Sequence, residues 1–235
     1  MAKIGIPTIH GMARQKPNFG DEVRQNLTNR LDPSTRDDVI FKKIFYQGLI
    51  QGNQDKVWEA VNLKGGWFPM PRRKLWGFAR EFFLFSIGDA ASYQDRPSED
   101  YSAYQAIHNK VLTAIKDLQA ELDDESVPVV IIGRSLGCHL ISNYIYDAQQ
   151  NEGLWSETNK PSNFQSLGTT AFFFSAGCNI PLFVAGLNNI VPIQKPNPNF
   201  RWLNYYDKDG ILGSPLQPLS PSYCELATDV EIRAS

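Results

Sequence analysis

The sequence predicts an α/β protein: a doubly wound, mostly parallel sheet of about six strands flanked by helices. Three observations support this class. Short runs of β-branched and aromatic residues alternate with segments whose apolar residues recur every three or four positions. Residues 127–147 pass from an apolar strand through a glycine-flanked turn into a helical pattern. The 235 residues, 42% hydrophobic and 20% charged, suffice for one domain with a full core, so we expect a single domain over residues 1–235.

The first part of the chain alternates strand and helix signals. Residues 3–9 form a short β-prone run, and residues 18–31 carry apolar side chains four positions apart, which predicts a helix. An Asp-Pro-Ser-Thr turn within residues 32–38 precedes a second strand at residues 39–46, which is rich in β-branched and aromatic residues. A helix is expected over about residues 53–62.

The middle of the chain contains one ambiguous segment and one clear helix. Residues 64–101 combine the loop-like GGWFPMPRR, the aromatic-rich KLWGFAREFFLFSIGDA and a polar end. This segment is predicted to form either a small cap or lid, or, in its aromatic part, ordinary core, because large aromatic side chains bury much area in any fold. Residues 102–123 place apolar side chains at steps of three and four, which predicts an amphipathic helix.

The second half repeats the alternation. Strands are predicted over residues 127–132, 170–175, 200–206 and 229–234. The proline-dense stretches 192–198 and 215–221 are predicted to be loops or turns. In such a sheet, functional residues gather at the carboxyl ends of the strands, so residues that directly follow strands should converge on one edge.

Bulk properties exclude several classes of function. A net charge of −2 argues against a generic nucleic-acid binder, and no segment reaches the ~18 apolar residues of a membrane span. The three cysteines lack disulfide-framework or zinc-site spacing, and neither a G-x-G-x-x-G nor a P-loop motif occurs, so no metal or cofactor is expected. No secretory leader is visible at the amino terminus, which favours a cytoplasmic location, and the oligomeric state cannot be read.

The turn after the strand predicted over residues 127–132 carries a candidate nucleophile. Gly133 and Gly137 flank Ser135, and small residues at these positions let a strand and a helix pack closely while the hydroxyl is lifted out of the sheet. The backbone N–H of Leu136, at the start of the following helix, is a candidate oxyanion donor. The G-x-S-x-G pattern alone is common by chance, but its position between an apolar strand and a helix favours a nucleophile elbow.

Two further strand ends supply candidate partners. His10 and Gly11 follow the first strand, and the backbone N–H of Met12 is a candidate second oxyanion donor, although His-Gly here also fits a plain turn. Asp207 and Asp209 follow the strand at residues 200–206, where one can orient a catalytic base and the other cap the loop.

None of the three histidines has a pattern typical of a catalytic base. His139 lies four residues past Ser135 on the same helix, so its ring should pack against the helix rather than over the hydroxyl. His108 borders the apolar stripe of the preceding helix, and His10 is better placed to support the oxyanion loop. No histidine follows Asp209.

Taken together, the motifs resemble the α/β-hydrolase superfamily, in particular its lipase, esterase and thioesterase-like members. The resemblance rests on HG at residues 10–11, GRSLG at 133–137 and NYYDKDGIL at 204–212, in the order loop, serine, acid. It implies a Ser-Asp-His triad acting on a small-molecule acyl substrate, with the histidine after the last strand. The Gly-Ile-Leu run after Asp209 resembles the run that follows the acid in this class, which favours Asp209 over Asp207.

The chain departs from this family pattern in three ways. The usual first hairpin is absent, which trims one edge of the sheet. Arg134 stands where a histidine often precedes the serine, and its cation can favour an anionic substrate or pair with a carboxylate. The sequence stops at Ser235, where the histidine would begin to be expected, so either the polypeptide is truncated or the base is missing.

The sequence therefore supports two hypotheses of different class. The first is a serine hydrolase in which Ser135 attacks an ester, thioester or related acyl bond and Asp209 orients a histidine. The second is a catalytically inactive hydrolase-fold protein that binds a ligand or a protein partner.

Overall fold

The structure, a computed structural model, describes residues 3–11, 15–46, 49, 103–155, 160–210 and 213–233. The helix expected at residues 53–62 and the segment 64–101 lie outside the described residues. The single domain over the whole chain, with its cap or lid, therefore stays a prediction.

The centre of the molecule is a six-stranded sheet in which all neighbouring strands are parallel. The strands are β1 (Ile4–Ile9), β2 (Val39–Ile44), β3 (Val129–Arg134), β4 (Thr170–Ala176), β5 (Arg201–Tyr206) and β6 (Ala227–Glu231). Their order across the sheet is β2-β1-β3-β4-β5-β6. The predicted α/β class with a parallel sheet is confirmed.

All six strands differ from their predicted bounds by one to three residues. β3 begins at Val129 rather than at residue 127, because Pro128 has no N–H to donate and contributes only its carbonyl, which accepts from the Gly5 N–H at 3.1 Å. β6 begins at Ala227, two residues before the prediction, and ends at Glu231.

Six helices accompany the sheet in the described ranges. They are α1 (Asp21–Arg30), α2 (Pro33–Arg36), α3 (Ala103–Leu122), α4 (Leu136–Gln150), α5 (Ile180–Val184) and α6 (Pro221–Leu226). The apolar stripe predicted for α3 is buried from Ile107 to Leu122. The helix α6 was not predicted: Pro221 lies in its first turn, where the missing N–H costs nothing, and the Ser220 hydroxyl caps it by accepting the Tyr223 N–H at 3.3 Å.

The two long helices pack on one face of the sheet. A Cβ at Gly5 would lie 3.0 Å from Leu118 of α3, and one at Gly133 would lie 3.3 Å from the Cys138 sulfur of α4. Gly5 pairs with Val129, so both glycines belong to this face. Against the opposite face lies the chain leading into α1, where Gly20 approaches Thr8.

The strand order reverses between β1 and β3. From β1 the chain continues to β2 on one side, whereas from β3 it continues to β4 on the other. The carboxyl ends of β1 and β3 therefore form a topological switch point, the place where open α/β sheets generally bind their ligands. His10 and Gly11 follow β1 and Ser135 follows β3, so the principal candidate residues lie at this switch point.

Candidate active site

Ser135 occupies a strained turn between β3 and α4. Its backbone has φ 50° and ψ −123°, a combination that L-residues other than glycine rarely adopt. The Ser135 N–H donates to the Ala176 carbonyl at 2.9 Å, and the Ser135 carbonyl accepts the Cys138 N–H at 3.0 Å. The side chain is partly exposed. Backbone conformations of this kind cost of order 1–3 kcal/mol and persist only where the surroundings enforce them.

The two glycines of the GRSLG turn are required by close packing. A Cβ at Gly137 would lie 2.5 Å from the His10 carbonyl oxygen, and one at Gly133 would lie 3.1 Å from the Phe173 ring. Real Cβ atoms essentially never come as close as the first of these distances, so α4 can start against the end of β1 only if residue 137 has no side chain.

Gly11 brings the loop after β1 onto the serine. A Cβ at Gly11 would lie 2.7 Å from the Ser135 Cβ and 3.3 Å from its Oγ. The loop therefore passes directly beside the hydroxyl, as an oxyanion loop must. Met12, the predicted second donor, lies outside the described residues.

His10 and Tyr46 together hold the Gly11 carbonyl. Nε2 of His10 accepts the backbone N–H of Tyr46 at 3.2 Å, so the ring proton sits on Nδ1, which donates to the Gly11 carbonyl at 2.8 Å. The Tyr46 hydroxyl donates to the same carbonyl at 3.0 Å, and the two rings stack 4.0 Å apart. Burial lowers the pKa of His10 to about 4, which keeps the ring neutral near pH 7.

The start of α4 presents free backbone donors beside Ser135. The N–H groups of Leu136 and Gly137 cannot have partners inside their own helix, because each would need a residue four positions earlier in helical conformation. The Leu136 side chain is buried, which fixes this end of the helix. Helix N-termini favour negative charge, so this position suits an oxyanion.

Asp207 and Asp209 lie in the turn after β5. The Asp207 carboxylate accepts the Asp209 N–H at 3.0 Å, and its carbonyl accepts the Gly210 N–H at 3.0 Å. Asp207 is partly buried, whereas Asp209 is exposed. β4 separates β5 from β3, so this turn lies about 10 Å from the end of β3, two strand spacings away at the same edge of the sheet.

A row of three hydrogen-bonded polar side chains, two buried and one half-buried, connects the strands at this edge. Ser175, Asn204 and Asp229 are register neighbours on β4, β5 and β6. The Ser175 hydroxyl donates to Asn204 Oδ1 at 2.8 Å, and Asn204 Nδ2 donates to Asp229 Oδ1 at 2.8 Å. Asp229 also accepts the backbone N–H groups of Leu216 and Gln217. The row thus fixes the chain after β5 against the sheet, and sequence reasoning did not find it.

The two remaining histidines serve packing between elements. His108 of α3 is fully buried with Nδ1 3.3 Å from the Asp147 carboxylate of α4, which also accepts the Tyr104 hydroxyl at 2.6 Å. His139 stacks on Phe183 of α5 at 4.0 Å and accepts the Asn143 amide at 3.2 Å. Burial lowers the pKa of His139 to about 4, with a further contribution from His108.

Arg134 directly precedes the serine and is exposed. The burial of β3 alternates, with Val129, Ile131 and Gly133 on the α4 face, so Arg134 belongs to the opposite face. No hydrogen bond or ion pair joins its guanidinium to any residue of the described ranges. Of the two roles that the sequence leaves open for this cation, pairing with a carboxylate thus has no counterpart in the described part of the chain.

An apolar groove of about 560 Å³ runs along α4. Its walls include Phe183, Leu187 and Val191, and its polar lining includes His139 and Asn143. Grooves with mainly apolar walls and a few polar groups are the ordinary form of small-molecule sites.

Metal and thiol chemistry have little support in the described ranges. There, no three His, Cys, Asp or Glu side chains cluster as a metal site would require. Cys138 and Cys178 are buried, as their apolar surroundings in the sequence predict, and burial raises the pKa of the Cys138 thiol. Among the helices that the structure describes, none has the length and apolar composition needed to cross a bilayer.

Comparison with models of known protein families, with curated proteins and with solved structures gave no significant match for this chain. The site is therefore interpreted from its own geometry: a strained serine, a glycine loop pressed against it and carboxylates at the same sheet edge.

Proposed function

We propose that the chain is a serine hydrolase of the α/β-hydrolase type that cleaves an ester, thioester or related acyl bond of a small molecule. The observation that carries the proposal is the backbone of Ser135, which holds φ 50° and ψ −123° at the apex between β3 and α4. Backbone strain at a partly exposed polar residue is typical of functional sites. The strand, sharp turn and helix around it match the context in which a nucleophile elbow presents its hydroxyl.

In the proposed reaction, the Ser135 oxygen attacks the acyl carbonyl carbon while the hydroxyl proton passes to a base. The tetrahedral intermediate collapses, the bond to the alcohol or thiol breaks, and the leaving group takes up a proton. Water then hydrolyses the acyl-serine ester, which releases the acid and restores the hydroxyl. The Leu136 N–H stabilises the oxyanion, and Met12 is assigned as second donor on the sequence pattern alone.

The contacts around Gly11 support an oxyanion role for the loop after β1. Two donors, His10 Nδ1 and the Tyr46 hydroxyl, hold the Gly11 carbonyl on the side of the buried rings. These two contacts fix the described end of the loop after β1 beside Ser135, where a Cβ at Gly11 would lie 3.3 Å from the Ser135 Oγ.

Two residues are retained as candidate acids, whereas no residue is assigned as the base. Asp209, favoured by the sequence, and Asp207, which is more buried, are both retained as candidate acids. No histidine is assigned as base, because the contacts of His10, His108 and His139 hold their rings in packing between elements. Loss of one triad member leaves a residual rate enhancement of roughly 10³–10⁴ over water, so slow turnover is expected from these residues alone.

The same observation favours a second candidate function, a hydrolase-like protein that binds a ligand without turnover. A fluorophosphonate probe separates the two, because it forms a covalent bond only with a nucleophilic hydroxyl. Labelling of Ser135, mapped by mass spectrometry, is the expected result. Added imidazole should accelerate both labelling and ester hydrolysis, since it supplies the missing base.

Two variants make this experiment specific. Ser135→Ala should abolish labelling, whereas Ser142→Ala, which removes a buried hydroxyl two turns along the same helix, should leave it unchanged. Folded protein, verified by its thermal transition, that is never labelled with or without imidazole would exclude the hydrolase and leave the binding protein.

A further inference from the structure

The cation beside the nucleophile is available to a ligand. Arg134 is the last residue of β3, its side chain is exposed, and it makes no hydrogen bond or ion pair within the described ranges. In the part of the chain that the structure describes, the guanidinium has no partner of either kind, and it lies one residue before the proposed nucleophile.

The surroundings of Arg134 leave room for a bound group. Its register partner on β4 is Ala176, a small and exposed residue, and the next residue across the sheet is the uncharged Tyr205. The nearest candidate carboxylates at this edge, Asp207 and Asp209, belong to the turn after β5 and lie about 10 Å away. Among the described residues, the backbone of that turn lies farther from the end of β3 than the Debye length of about 8 Å at physiological salt, which weakens the effect of both carboxylates on the charge of Arg134.

From this arrangement we infer that Arg134 selects substrates carrying a negative charge, a carboxylate or a phosphate, within an arginine side chain's reach of the scissile carbonyl. The inference rests on the proposed function and adds the substrate class to it. A guanidinium binds either anion through two parallel hydrogen bonds, which fixes orientation as well as attracting charge. Arg134 is thus a specificity-determining residue, and it takes no part in the bond-breaking steps.

The test compares matched esters that differ in one charge. Mono-(4-nitrophenyl) adipate and 4-nitrophenyl hexanoate share a leaving group and an acyl chain length, and only the first has a carboxylate on its acyl chain, too far from the ester for ready internal attack. The acetate esters of 4-hydroxybenzoate and of its methyl ester place the charge on the leaving group. With imidazole present, the anionic member of at least one pair should have kcat/KM about tenfold to hundredfold higher, the range of a charge-assisted hydrogen bond.

Three variants assign that preference to its residue. Arg134→Gln should remove the preference, so that the charged and neutral members of a pair have equal kcat/KM, and Arg134→Lys should retain part of it, because an ammonium keeps the charge and loses the paired geometry. Arg201→Gln removes an exposed cation at the amino end of β5, the opposite edge of the sheet, and should change nothing. The preference should also shrink in about 1 M salt, where the Debye length is about 3 Å.

The possible outcomes distinguish a failure of this inference from a failure of the proposed function. Equal rates within both ester pairs, or a preference that survives in Arg134→Gln, would overturn the inference and leave the hydrolase intact. No hydrolysis of any ester, together with no labelling of Ser135, would overturn the proposed function and this inference with it.

Discussion

The close approach of Gly11 to Ser135 can be tested with a single methyl group. In Gly11→Ala the new Cβ would lie 2.7 Å from the Ser135 Cβ, whereas non-bonded carbons rest about 3.5–4.0 Å apart. The two backbones must therefore separate by about 0.8 Å or more. Gly11 has no left-handed φ, so alanine meets no conformational strain there and the effect is purely steric.

Two measurements should change in Gly11→Ala. Overpacking of this size costs about 1–3 kcal/mol, which lowers the Tm of a chain this long by about 2–4 °C per kcal/mol. Displacement of a reacting group by about 1 Å can cost a hundredfold in rate, so fluorophosphonate labelling should slow by about that factor. Gly186→Ala is the matched control, because no atom lies within 4 Å of its Cβ position. A Gly11→Ala protein with the Tm and labelling rate of wild type would refute the proposed contact.

Two other predictions concern the groups around this loop. Tyr46→Phe removes one of the two donors to the Gly11 carbonyl, so it should lower the free energy of unfolding by about 1 kcal/mol. It should also slow fluorophosphonate labelling, but less than Gly11→Ala does. A labelling rate equal to that of wild type would argue that this hydrogen bond does not position Gly11. In the folded chain the pKa of His10 and of His139 is lowered to about 4, whereas in the unfolded chain it is about 6.5. As the pH falls below about 6.5, the unfolded chain therefore binds protons at these rings and the folded chain does not. The free energy of unfolding should therefore decrease as the pH falls from 6.5 toward 4, by roughly 2 kcal/mol per histidine between pH 7 and pH 5. Urea unfolding at several pH values measures this change. A constant free energy of unfolding over that interval would contradict the burial of both rings.

The sequence predicted the elements whose signals are local. The period of apolar residues located α3, and β-branched runs located all six strands to within a few residues. The short helices α2, α5 and α6 escaped prediction because a prolyl residue near the start of each is typical of a turn or loop; α2 lies where a turn was expected. The strands were also expected to form a parallel sheet, because helices or loops separate them in the chain. Their lateral order in the sheet was not predicted, because it is not a local property of the sequence.

In the candidate site, too, features that are local in the chain could be predicted and features that depend on strand pairing could not. The serine and its glycines could be found because strand, turn and helix are contiguous in the chain. The role of Tyr46 could not, because it depends on the pairing of Ile9 with Ile44, which brings the ends of β1 and β2 level and sets Tyr46 beside Gly11. The network of Ser175, Asn204 and Asp229 likewise requires the register of three strands, which no periodicity encodes.

The reversal of strand order between β1 and β3 also bears on how the site forms during folding. Gly11 and Ser135 are separated by about 120 residues in the chain and meet only once β1 lies beside β3. Pairings of such long sequence separation form late and slowly, because the loop-closure entropy must be overcome first. A partly folded chain can contain the β3 turn and α4 yet lack the loop that completes the site. Reactivity of Ser135 would therefore appear only with the native topology, so the kinetics of its labelling after dilution from denaturant would follow the joining of the two halves of the sheet.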